Sequence, residues 1–339
     1  MKKTILLILG LIFLSCGSNN HISENSEPII TTGETAQNFA NTISVSDLKT
    51  LLYIIASDEF EGRETGEPGQ KKAAEYIKTF YKDRNIAAPL GDDDYFQEIP
   101  KEHLRPNLNP SENVLAFIEG SEKPEEIVVI SAHYDHLGIK NGEIYNGADD
   151  DGSGTVAVME IAEAFKKASE NGNGPKRSIL FLHVTGEEKG LLGSKYYINF
   201  PIFPLANTVA NLNIDMIGRV DDAHENNPNF VYLIGSDKLS TELHQLSEEM
   251  NEKFIKLKLD YTYNDENDPN RFYYRSDHYN FAKNNIPIIF YFNGTHQDYH
   301  KPSDTPDKIN YELLQKRTQL IFYTAWEIAN REKRVVVDK

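Results

Sequence analysis

Four apolar runs in this sequence each lead into carboxylates or an imidazole. Ile127-Val128-Val129-Ile130 runs into Ser131-Ala132-His133-Tyr134-Asp135, and Ile179-Leu180-Phe181-Leu182 runs into Gly186-Glu187-Glu188. Ala210-Asn211-Leu212-Asn213-Ile214 leads to Asp215, and Ile286-Pro287-Ile288-Ile289-Phe290 leads further on to Tyr299-His300. A fifth element sets Asp149, Asp150 and Asp151 between Gly147 and Gly152. Residues two apart on a strand face the same way, so His133 and Asp135 share a face, and the Asp135 carboxylate can orient the His133 ring from behind. Glu187 and Glu188 are neighbours and must diverge, one toward a cation and the other toward a water. Adjacent aspartates are favoured at a helix start, yet three of them between glycines repel one another unless a cation is present. Each pair alone reads equally well as solvated charge at a strand end; the coincidence of five elements carries the metal reading. Histidine with carboxylate and no cysteine suits zinc in an open catalytic site, less often manganese or cobalt.

Such side chains need strands that deliver them to one rim. Residues 113–118, 127–131, 178–185, 210–217, 230–234 and 286–292 read as strands. Helices are expected after Ser44 or Ser46 (Leu48, Leu51, Leu52, Ile55), from Pro68 (Ala73, Ala74, Ile77, Phe80, Tyr81), near 155–168, near 241–254 and over 311–331. Strands alternating with helices predict an α/β domain, a three-layer α/β/α arrangement around a central, mostly parallel mixed sheet. Ligands in such sheets bind beyond the carboxyl ends of the parallel strands. That is where all of these residues fall.

The chain has 339 residues, 39% of them hydrophobic, which excludes wholesale disorder, collagen and a multi-span membrane protein. Lys+Arg number 35 against 52 Asp+Glu, a formal charge of −17 that repels phosphate backbones and sets nucleic acid aside as a partner. Cys16 is the only cysteine, so there is no internal disulfide and no Cys₂ or Cys₄ zinc site. Lys2 and Lys3 precede an apolar run over 5–14, too short to span a bilayer, and Leu14-Ser15-Cys16-Gly17 follows. This resembles a bacterial lipoprotein signal in which Cys16 becomes the acylated first residue. The chain is then expected as a signal over 1–16, a flexible polar tether over 17–43 and one catalytic domain over 44–339. The expected location is an exported, membrane-anchored lipoprotein, periplasmic or at the cell surface.

Other polar residues carry blander readings. His183 lies mid-strand and reads as a core histidine; His136, His278 and His296 read as structural or supporting rather than ligating. The runs 92–94 and 264–268 read as exposed acidic loops, with calcium as the alternative. Ser153 sits in no Gly-x-Ser-x-Gly elbow, because position 151 is Asp, so a serine hydrolase finds no support.

Together the motifs SAHYDHLG, NGADDDGSG, TGEEKGLLGS, NIDMIGR, RSDHYNF and DYHKPSDTPDKI resemble the secreted di-zinc aminopeptidase family, which includes bacterial leucyl aminopeptidases and the vacuolar aminopeptidase Y type. The upstream SDEFEGRETGEPGQ is similar to the opening segment of these peptidases. The resemblance implies a zinc-exopeptidase-like fold and two Zn²⁺ per chain. His133 and Asp215 would match ligands of one ion, Glu188 and His300 those of the other, and Asp150 the carboxylate bridging both. Glu187 would match the general base that activates a water between the metals. Tyr299 and Arg275 resemble groups that hold the substrate or its developing oxyanion. The implied activity is removal of N-terminal residues from peptides. A carboxypeptidase, a single-zinc glutaminyl cyclase and a non-catalytic binding module are the alternatives on the same fold. The preferred N-terminal residue and the oligomeric state are not encoded in any motif.

Overall fold

The computed structural model describes residues 32–91 and 93–339. In chain order these form α1 (Thr32–Ala40), α2 (Val45–Ile55), α3 (Pro68–Asp83), β1 (Phe96–Ile99), β2 (Ser111–Ile118), β3 (Lys123–His133), β4 (Gly138–Lys140), β5 (Glu143–Tyr145), α4 (Gly154–Glu170), β6 (Arg177–Val184), α5 (Leu192–Asn199), β7 (Thr208–Ile214), β8 (Phe230–Ile234), α6 (Thr241–Met250), β9 (Lys258–Asp260), α7 (His278–Ala282), β10 (Ile288–Phe292) and α8 (Tyr311–Asn330).

One eight-stranded sheet runs in the order β1-β2-β6-β3-β7-β10-β8-β9. Its centre, β6-β3-β7-β10, is parallel, with Ile130 level with Phe181 on one side and Leu212 on the other, and Leu212 level with Ile289. Antiparallel β2 and β8 flank it. Successive residues point to opposite faces, and both faces are buried. Val128, Ile130, Phe181, Leu212 and Ile289 pack under α1–α4, α6 and α8, while Ile127, Val129, Leu180, Leu182 and Ile288 pack under α5 and α7. The result is the expected three-layer α/β/α fold with a mostly parallel mixed sheet.

The helix starts carry ordinary physical signals. Ser44 Oγ accepts the Asp47 N–H at 3.0 Å, Asn310 caps α8 through the Leu313 N–H, and Pro68 occupies the first turn of α3. Order begins earlier than composition suggests. Within the stretch expected as tether, α1 buries Ala36 and Ala40, and Phe39 stacks on Trp326 with ring centroids 5.9 Å apart. Short apolar anchors spaced along one helix face are enough to dock it, although the segment is polar on average. The signal over 1–16 and its Cys16 lie outside the described residues. So do positions 17–31 of the tether. The hairpin β4–β5, the edge strands β1 and β9, and the short α5 and α7 carry too little periodicity to be predicted.

Burial keeps two core imidazoles neutral down to about pH 3. His183 faces Tyr81, with the hydroxyl 2.6 Å from Nε2, and burial pushes its pKa down to about 3. Burial also lowers His278 to about 3. An unfolded histidine titrates near 6.5, so acidification below that value protonates the unfolded chain first, and stability falls until about pH 3. The expected slope is about 1.4 kcal/mol per pH unit for each ring. His183→Gln removes one of them. Its deficit in unfolding free energy relative to the parent, measured in urea, should therefore shrink as pH falls from 6.5 to 5; a deficit constant with pH would contradict a neutral His183.

Candidate metal centre

All but one of the functional side chains follow a central parallel strand, the exception being Asp150 on the loop before α4. His133 ends β3, Glu187 and Glu188 follow β6, Asp215 follows β7, and His300 lies on the loop after β10. Glycine permits the turn behind β6, where Gly186 has φ +69°. Gly147, at φ +53°, opens the acidic loop; a Cβ there would lie 2.2 Å from the Asp150 carbonyl oxygen.

The Asp150 carboxylate lies at the centre. Its Oδ1 is 3.2 Å from His133 Nε2, and its Oδ2 is 3.1 Å from His300 Nε2. Asp215 approaches the first imidazole at 3.6 Å, and Glu188 the second at 3.3 Å. The five residues expected as ligands thus meet as two halves that share one carboxylate. A sixth joins them: His136 Nδ1 stands 2.8 Å from Glu188 Oε1, nearer than a ring expected only to support the site. Two compact groups could hold an ion, His133/Asp151/Asp215 and His136/Asp150/Glu188.

The remaining two aspartates of the triplet are occupied. Asp149 accepts the Gly218 N–H, the Ser153 hydroxyl and the Asn293 amide, and lies 3.1 Å from His296 Nε2. Asp151 Oδ1 accepts the N–H groups of Gly154 and Met216. Asp304, which no expectation singled out, accepts the N–H groups of both Asp149 and Asp150. Of the three, Asp150 lies between both imidazoles, while Asp151 keeps only Oδ2 without a partner.

Electrostatics favour a cation here. Buried His133 Nε2, His136 Nδ1, Asp150 Oδ2, Asp151 Oδ2 and Glu188 Oε1 have no hydrogen-bond partner, an expensive state unless a further atom satisfies them. Burial pushes the Asp151 and Glu187 carboxyls well up, and the neighbouring Asp215 adds to both. Burial and the Asp150 charge push Glu188 up as well, but His136 and His300 outweigh them and bring it down to about 2. Imidazole nitrogens and carboxylate oxygens without sulfur suit zinc, so these residues fit the metal that the motifs imply.

The Asp135 side chain does not hold the His133 ring as expected. Nδ1 lies 3.0 Å from the main-chain oxygen of Asp135 and 3.7 Å from its carboxylate. The carboxylate instead accepts the Thr65 hydroxyl at 2.7 Å and the Glu187 N–H at 3.1 Å, tying the Glu187 loop to β3. The carbonyl bond places the proton on Nδ1 and leaves Nε2 to face the carboxylates.

Tyr299 and Arg275 border a small open cleft together with Asp150, Glu187, Asp215, Met216, Phe272, Phe290 and Phe292. The Tyr299 hydroxyl is 3.4 Å from Arg275 Nη2, and its ring stacks on His300. Burial, then the charges of Asp150 and Glu188, raise the phenol well above its usual value, so it remains a donor. The other candidates are elsewhere. His278 bonds the Tyr273 carbonyl oxygen and stacks on Phe290, and Asp265 and Asp268 accept N–H groups of their own loop. Asp93 pairs with Lys82, and Asp92 lies outside the described residues.

Sequence reasoning missed Arg63. Almost fully buried, it donates to the carbonyl oxygens of Tyr134 (2.7 Å), Ile55 (2.9 Å), Asn146 (2.6 Å) and Gly147 (2.9 Å). Burial lowers its pKa to about 10, while Asp135, Asp151, Asp150 and Asp304 pull the other way. One permanent cation thus clamps the end of β3 to the acidic loop. Its only sequence signal is its place inside the upstream SDEFEGRETGEPGQ segment.

Residues 113–325 match the family model described as peptidase family M28. The chain belongs to peptidase family M28. A probable zinc metalloprotease of Leptosphaeria maculans is 36% identical over 110 residues, 31% of this chain and 24% of that protein. The chain thus spans about a quarter of the length of the curated relatives it matches. The crystal structure of the Legionella pneumophila LapA aminopeptidase superposes with a TM-score of 0.69 at 22% identity, covering 90% of this chain and 77% of that one. The Porphyromonas gingivalis glutaminyl cyclase does so at 0.64 and 16%, covering 83% and 97%. At these identities the likeness is one of fold.

The clamp generates a prediction. Arg63→Met keeps side-chain bulk but leaves four buried carbonyl oxygens without their donor, each worth about 1–3 kcal/mol. Chemical denaturation should register a loss of at least about 3 kcal/mol. Affinity for a divalent cation, read by chelator competition, should drop at least about tenfold. Unchanged affinity would mean that the clamp does not shape the acidic loop.

Proposed function

We propose that this M28 chain is a zinc-dependent aminopeptidase with two ions, His133 and Asp215 serving one, Glu188 and His300 the other, and Asp150 both. The observation that carries this reading is the shared Asp150 carboxylate between two imidazoles, beside Glu187 on an open cleft. When bound, the metals would polarise the scissile carbonyl and lower the pKa of the attacking water. Glu187 takes the proton from that water and passes it to the departing amine. Its loop is fixed by the bond from its N–H to Asp135, so the carboxylate is aimed before substrate arrives. Tyr299 donates its hydroxyl proton in a hydrogen bond to the developing oxyanion, and Arg275 beside it steadies the phenol and the substrate backbone.

The glutaminyl cyclase reading requires one metal and leaves half of the carboxylates idle. The carboxypeptidase reading requires a cation for the terminal carboxylate, a part that Arg275 alone among the cleft residues could take. A metal-free binding module has no physical need for so many converging acids. We also propose, from the sequence at 1–16, export and attachment to a membrane through acylated Cys16. Among the described residues no helix is long and apolar enough to cross a membrane.

A panel of aminoacyl-arylamides beside their N-acetylated counterparts and blocked dipeptides with free carboxylates tests the reading. Hydrolysis confined to free amines, abolished by chelation and restored by zinc, is expected. Glu187→Gln should keep the zinc content and fall about 10²–10⁴-fold in kcat. Cleavage of the acetylated dipeptides with free carboxylates would favour the carboxypeptidase, and zinc loss in Glu187→Gln would reverse its role with that of Glu188.

A further inference from the structure

His136 lies where the family resemblance supplies no ligand. The ring is fully buried at the end of β3, packed over Gly147, where a Cβ would come within 2.5 Å of its Cγ. Its Nδ1 lies 2.8 Å from Glu188 Oε1 and 3.8 Å from Asp150 Oδ2, and none of these three atoms has a hydrogen-bond partner. A hydrogen bond requires the N–H to aim at its acceptor. At 2.8 Å, His136 and Glu188 are close without being aligned, as two groups directed at a third atom would be. His133 Nε2 shares this signature, lying 3.2 Å from Asp150 Oδ1 and equally without a hydrogen bond.

Distances agree. His300 Nε2 stands 3.1 Å from Asp150 Oδ2 and 3.3 Å from Glu188 Oε2. Ligands about 2.0–2.1 Å from a tetrahedral zinc are roughly 3.3–3.4 Å from one another. The four separations around this point, from 2.8 to 3.8 Å, bracket that value.

We propose that His136 is a metal ligand through Nδ1, so that His136, His300, Glu188 and Asp150 enclose one ion. His133, Asp215 and Asp150 leave the other ion an open position. This rests on the two-metal reading above. Its consequence is that the two ions are unequal: four protein ligands make a closed, retentive site, and three leave room for water and substrate. The His136 ion is then retained and the His133 ion exchanges.

The test is ¹⁵N-histidine NMR on the full chain, titrating Zn²⁺ into metal-free protein, with His136→Gln used to assign its ring. Three of the ten histidines should acquire metal-bound nitrogen resonances, His136 Nδ1 among them. The count on the parent chain stands even if the variant misfolds. Two bound imidazoles, with His136 unmoved, would overturn the proposal and leave the aminopeptidase reading intact, whereas no bound imidazole at all would overturn both. In chelator competition, His136→Gln should weaken the tighter ion at least tenfold and leave the weaker one unchanged; equal affinities before and after the substitution would also overturn it.

Discussion

The structure is governed by the burial of like charges at one rim of a sheet. Asp135, Asp149, Asp150 and Asp151 are almost completely inaccessible, with Asp215, Glu187 and Glu188 close by and the buried Arg63 behind them. Carboxylates in a low-dielectric interior raise one another's pKa or draw in cations. The fold meets this in two ways. Main-chain N–H groups and neighbouring side chains bond Asp149, Asp135 and one oxygen of Asp151, and Arg63 fixes the carbonyl groups of the loop behind them, while Asp150, Glu188 and the second oxygen of Asp151 keep atoms with no protein partner. These partnerless atoms are nitrogen and oxygen donors of the kind a bound cation would complete.

The same division explains why three aspartates stand in a row. Asp149 and Asp151 fasten the loop to β7 and to the start of α4, through Gly218, Met216 and Gly154, so that Asp150 between them is held without using its own side chain. A carboxylate fixed by its neighbours loses little entropy on binding a cation. The parallel strands supply the remaining groups from separate points in the sequence, which is why the site depends on the whole central sheet.

Much of this was legible in the sequence. The central strands and the long helices are visible as apolar runs and 3.6-residue stripes, Asp135, Glu187, Glu188 and Asp215 because each follows such a run, and Asp150 because it stands in an aspartate triplet between glycines. What was not legible depends on tertiary contact. Arg63 looks like any charged loop residue until its four carbonyl partners, distant in sequence, are folded around it. His136 could not be told from a supporting histidine, because its place beside Glu188 depends on the turn at Gly147. Two-residue spacing points the Asp135 carboxylate at the His133 ring, but its neighbours after folding are Thr65 and Glu187. Helix α1 escaped notice because few anchors dock it against α8. Activity is less legible than fold, since the structural neighbours include both an aminopeptidase and a glutaminyl cyclase.

The central claim is that Asp150 serves two cations at once. The most direct measurement is the zinc content per chain of purified, catalytically competent protein, by elemental analysis after exhaustive dialysis against trace zinc. The account predicts two equivalents in the parent chain and loss of both in Asp150→Asn. One equivalent with full activity, or an Asp150→Asn chain that still retains two, would contradict it.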